Sequence, residues 1–108
     1  MTKFLFIFRH STDPVSQPSP EEMQALGGQW YAWMQKFSAS ILPGGDGLKS
    51  DGRLVRGATV TDGPYVEAKE FVASFSLIRA DDYDAAVAIA RECPGDNAIE
   101  IRELGGYA

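Results

Sequence analysis

Phe4-Leu5-Phe6-Ile7-Phe8-Arg9 is an uninterrupted apolar and aromatic run that ends in charge. Successive side chains of a strand point to opposite faces, so a run without polar alternation predicts a central strand that is apolar on both sides. Phe4, Phe6 and Phe8 make one set, Leu5 and Ile7 the other, and each set needs cover. The remaining segments decide how much cover the chain can supply.

After a Pro/Ser-containing loop from Thr12 to Pro20, Ser19 suits a helix N-cap, Pro20 the first helical position, and Glu22 completes a capping box. Met23, Leu26, Trp30, Trp33, Phe37 and Ile41 recur at spacings of three and four, which predicts a long amphipathic helix ended by Pro43, Gly44 and Gly45. Arg53 to Val55 and Thr59 to Thr61 read as two strand pieces of one ragged strand region, turning at Arg56 and Gly57. Phe71 to Arg79 is a further strand. Asp81 is then expected to cap a second helix ending before Pro94 and Gly95, with Tyr83, Ala86, Val87 and Ala90 as its inner stripe. Ala98 to Arg102 alternates as a half-buried strand should, Ile99 and Ile101 on one face, Glu100 and Arg102 on the other.

The predicted order βαββαβ implies an α+β, ferredoxin-like sandwich: an antiparallel four-stranded sheet with two helices on one face. Two helices cover one side only. The other side would be a bare apolar patch of the kind that marks an association site, which makes a second copy of the chain the expected partner.

At 108 residues the chain fits one domain, residues 1–108, that buries only about two-thirds of the surface its unfolded form exposes. Fifteen acidic residues against ten basic give a net charge of −5, which repels phosphate backbones and anionic lipid, so neither nucleic acid nor membrane is an expected partner. The Phe4 to Phe8 run is too short for a signal segment or a membrane span, and a cytoplasmic location is expected. Cys93 is the only cysteine. It can form no internal disulfide and reads as a small hydrophobe at a helix end.

Asp62-Gly63-Pro64-Tyr65-Val66-Glu67-Ala68-Lys69-Glu70 places a rigid bend and several charges between two strand-like runs. Pro64 fixes its own φ and lacks an N–H, so the chain must leave its sheet here, and Asp62 falls at a strand end. This stretch resembles the signature of the YCII-related family, whose DGPF branch is named for Asp-Gly-Pro-Phe, with Tyr65 where phenylalanine is usual. Ser19 to Met23 resembles that branch's helix start, Gly44 to Leu48 its post-helix loop, and Lys69 and Glu70 come after the signature as in that branch. The likeness covers essentially the whole chain. It implies a dimeric α+β barrel in which two sheets pack face to face. Because genes of this branch often neighbour those of alternative sigma factors, it also implies an accessory signalling role. Two departures stand out: Ala73 and Ser74 occupy positions that are often glycines, and the histidine and aspartate of the better-studied branch fall, read without gaps, near Gln29 and Cys93. That branch's catalytic pair is therefore not carried over.

His10 is the only histidine and the only side chain whose ordinary pKa suits proton transfer near neutrality. It is a catalytic candidate together with Asp62, should the carboxylate reach the imidazole; the alternatives are a solvated loop histidine and a turn-forming aspartate. Arg9, Trp30, Tyr65, Glu67 and Lys69 are candidate ligand-binding residues, able to grip a small organic molecule with rings and charges. Against this stand ordinary solvation of Glu67 and Lys69 and ordinary packing of Tyr65 and Trp30. Gly27 and Gly28 cost a helix roughly 1 kcal/mol each relative to alanine, which suggests close packing against the sheet or a groove beside Trp30 and Gln29. No Walker loop, dinucleotide fingerprint, nucleophile elbow or histidine pair is present, and the sequence calls for no cofactor and no metal. Related barrels include isomerases, lactone-processing enzymes and cofactor-free oxygenases, so the resemblance implies either a small proton-transfer enzyme or a non-catalytic binding or regulatory module.

Overall fold

In the computed structural model, which describes residues 1–13, 18–63 and 70–106, the apolar run lies in β1 (Thr2–Ser11), an interior strand of a four-stranded sheet. β1 pairs antiparallel with β5 (Glu70–Ala80) on one side and β6 (Ile99–Glu103) on the other, and β2 (Ile41–Gly47) pairs antiparallel with the far edge of β5. Phe4, Phe6 and Phe8 are buried in one core with Ile78, Ala80, Trp33, Ala86 and Ile89. Trp33 belongs to α1 (Pro20–Lys36) and Ala86 and Ile89 to α2 (Tyr83–Arg91), so both helices pack on the phenylalanine face. The α+β arrangement is compatible with a ferredoxin-like sandwich. Leu5 and Ile7 point the other way, in register with Leu77 and Phe75, and among the described residues no helix covers them.

The start of α1 obeys the local chemistry of its sequence. The Ser19 hydroxyl accepts from the Glu22 N–H at 3.2 Å, and the Glu22 carboxylate accepts from the Ser19 N–H at 3.3 Å, a reciprocal capping box with Pro20 behind it.

Its end differs from the sequence reading. The helix stops at Lys36, with Phe37 as C-cap, because the Ile41 and Ser40 N–H groups fold back onto the Phe37 carbonyl at 3.0 and 2.9 Å and turn the chain into β2. A spacing of four from Phe37 to Ile41 fits such a turn as well as another helical turn. Pro43, Gly44 and Gly45 are therefore no helix terminator but an irregularity in an edge strand, where pairing jumps from Leu42–Leu77 to Asp46–Phe75. Gly44 has φ +115°, and a Cβ on Gly45 would lie 2.7 Å from the Phe75 carbonyl oxygen.

The second strand of the sheet is thus β2, not the region from Arg53 to Thr61. That region forms a separate two-stranded hairpin, β3 (Gly52–Arg56) and β4 (Thr59–Gly63), turning at Gly57 with φ +58°. The cap of α2 is Asp82 rather than Asp81: its extended backbone lets the carboxylate accept from the Ala85 N–H at 2.8 Å. Among the described residues no helix is long and apolar enough to cross a membrane.

Candidate small-molecule cleft

β1 outruns β6. The last paired residues are Phe8 and Ile99, and the Arg9 N–H then reaches the Ala98 carbonyl at 2.9 Å. Beside this point the β1–β5 register shifts between Phe8 and Arg9. Past it, His10 and Ser11 border a hollow of about 290 Å³ roofed by the first turns of α1 and closed by the segment from Pro94 to Ile99. Its apolar wall comprises Phe8, Met23, Leu26, Trp30 and Ile99, and its polar side chains include His10, Ser11 and Asn97.

The walls are held by ring contacts. Trp30 meets Phe8 edge-on at 5.4 Å between centroids and Trp33 at 5.6 Å. Trp33 is 5% exposed and its indole N–H donates to the Ile89 carbonyl at 3.0 Å, which locks α1 to α2. Trp33 is thus a packing residue and half-buried Trp30 a lining one. Gly27 also lines the hollow, and a Cβ on Gly27 or Gly28 would meet nothing within 4 Å. Close packing against the sheet is not why these glycines are there; at Gly27 the missing side chain leaves the groove open.

His10 is half-buried, and its ring meets Phe71 edge-on at 5.9 Å. Asp62 lies elsewhere: at the end of the hairpin, 89% exposed, it pairs with the Arg53 guanidinium at 3.3 Å. Within the subunit the imidazole and this carboxylate are not partners. Arg9 also points away from the hollow. On the helix-free face its Nη2 and Nε donate to one Glu100 carboxylate oxygen at 2.7 and 3.2 Å. Hydrogen bonds from Arg9 and then Arg102 hold the Glu100 carboxyl below its ordinary range. Tyr65, Glu67 and Lys69, with the Pro64 bend, lie outside the described residues.

Cys93 comes just after α2 and packs against the core, and burial pushes its thiol up to about 12. That shift favours the thiol over the reactive thiolate at neutral pH. Among the described residues no cluster of three or more histidine, cysteine or carboxylate side chains could hold a metal ion. Sequence reasoning missed Ser11, Asn97 and the Pro94–Gly95 wall. A signal was present in Pro94 and Gly95, which end a helix just before the strand that must return beside the central one.

The hollow can hold a small ring-bearing molecule against Trp30 and Phe8 and offer it the His10 imidazole as a polar partner. No curated protein matches the chain. The family model of the YCII-related domain matches residues 5–104, nearly the whole of this βαβ-built unit with its extra hairpin, and the chain belongs to that family.

Proposed function

We propose that the chain is a small-molecule-binding domain of the DGPF branch, taking an uncharged ring compound into the cleft and fixing it through His10. One observation carries this reading: the hollow is walled by Phe8, Trp30, Met23, Leu26 and Ile99, while His10 is the single titratable side chain on its lining among the described residues. A phosphorylated or multiply acidic ligand would need cations, and the described residues of this lining supply none. A general acid–base enzyme would need a second convergent group, and Asp62, paired with Arg53, does not line the hollow. Binding is favoured over catalysis on that ground. The sigma-factor association that the resemblance implies would give such binding a regulatory use.

The reading includes a homodimer formed through the helix-free sheet face. Leu5, Ile7, Leu42, Phe75 and Leu77 share that face by register. The chain exposes 8107 Å², whereas a folded monomer of 11.8 kDa exposes about 5,900 Å². That surplus, spread over the whole subunit and shared by the separate hairpin, leaves room for the roughly 800 Å² that each partner contributes to a standard stable interface.

Titration of uncharged phenols, quinols and aromatic lactones, monitored by Trp fluorescence and thermal shift, tests the cleft. A saturating ligand at about 100 times its Kd adds roughly 2.7 kcal/mol of stability. That gain is expected in the native chain and lost in His10→Ala and Trp30→Ala. Binding that survives both substitutions would place the ligand elsewhere.

A further inference from the structure

The hairpin β3–β4 has no place in the sandwich of sheet and helices. Among the described residues its strands pair only with each other, and neither joins the four-stranded sheet. Two-stranded hairpins are marginal in water unless a further surface packs on them. Opposite pairs in the register are Arg53 with Asp62 and Val55 with Val60. Alternation along each strand puts these four side chains on one face. That face is wet in the single subunit: Val55 is 66% and Val60 59% exposed, and the Arg53–Asp62 pair is exposed too. The subunit is also drawn out, with a radius of gyration of 15.5 Å against about 13 Å for a globule of this length.

We propose that the hairpin is an arm that closes on the same arm of a second copy of this chain. The face is self-complementary. A two-fold axis running along the strands lays Val55 over Val60 of the partner subunit and Arg53 over Asp62 of the partner subunit, and the same two contacts recur by symmetry. The valine pairs then bury one another, and each guanidinium meets a carboxylate from both sides. The hairpin lies in the chain between β2 and β5, the strands that carry Leu42, Phe75 and Leu77, and an arm contact on the same two-fold axis would add to the sheet-face interface. The inference rests on that dimer.

Charge swapping by sedimentation equilibrium tests it. Arg53→Glu and Asp62→Lys, each alone, set like charges against each other across the arm contact and should raise the dimer dissociation constant roughly tenfold or more. An equimolar mixture of the two variants restores opposite charges at both contacts and should return the constant close to that of the native chain. Rescue by mixing cannot come from repairing either hairpin internally. Single variants that associate as tightly as the native chain would overturn the arm, and so would weakening that mixing does not rescue. A native chain that sediments as a single subunit would overturn the sheet-face dimer itself, a failure distinct from the other two.

Discussion

Gly27 and Gly28 separate packing from function at the level of single residues. Neither position would bring a new Cβ against anything within 4 Å, so Gly28→Ala should stabilise α1 by about 1 kcal/mol through helix propensity alone, raising the melting temperature by roughly 4–8 °C. Gly27→Ala should give the same gain while weakening ligand binding, because its methyl group enters the cleft. Calorimetry with and without ligand distinguishes the two. Equal loss of stability in both variants would restore the close-packing explanation.

Cys93 supplies a pH signature. Its thiol is raised from an ordinary 9.0 to about 12 by burial, so the folded state holds this proton more tightly than the unfolded chain. The stabilising contribution is complete below about 9 and is lost as pH climbs toward about 12. Stability measured over that interval should fall less steeply in Cys93→Ala than in the native protein, and alkylation at neutral pH should be slower in the folded than in the unfolded chain. Glu100 behaves in the opposite sense. Its carboxyl is lowered by Arg9 and Arg102, so its contribution is present above the ordinary carboxylate range and is lost as pH falls through it.

Secondary-structure elements show unequal dependence on their own sequence. α1 begins where Ser19, Pro20 and Glu22 require, and Ser19→Ala should cost about 1 kcal/mol in denaturant unfolding. β2 depends instead on its neighbour. Gly45 lies so close to the Phe75 carbonyl that Gly45→Ala must displace the edge strand, and its expected loss exceeds about 1 kcal/mol. This contrast explains what could be read in advance. The central strand, the capped helix and the alternating Ile99–Ile101 strand carry their patterns in adjacent residues. β2 does not, because Pro43, Gly44 and Gly45 resemble a helix stop until Leu77 and Phe75 are placed beside them. The same holds at the cleft: His10 stands out by residue type, whereas Ser11 and Asn97 acquire a role only when β1, α1 and the Pro94–Ile99 segment meet. The hairpin strands were legible, but their separation from the sheet is a matter of tertiary pairing.

At the scale of the whole molecule, one sheet face carries a helical layer, and the other carries half-buried Leu5, Ile7, Phe75 and Leu77 with no helix over them among the described residues. An aspartate at Ile7 would sit at the middle of the proposed interface, unpaired. Ile7→Asp should convert the dimer to monomers while leaving far-UV circular dichroism unchanged, since Ile7 does not contribute to the buried core around Phe6. Native mass spectrometry of the unmodified protein tests the account most directly. The expected species has twice the 11.8 kDa chain mass, and a population consisting of single chains at micromolar concentration would contradict it.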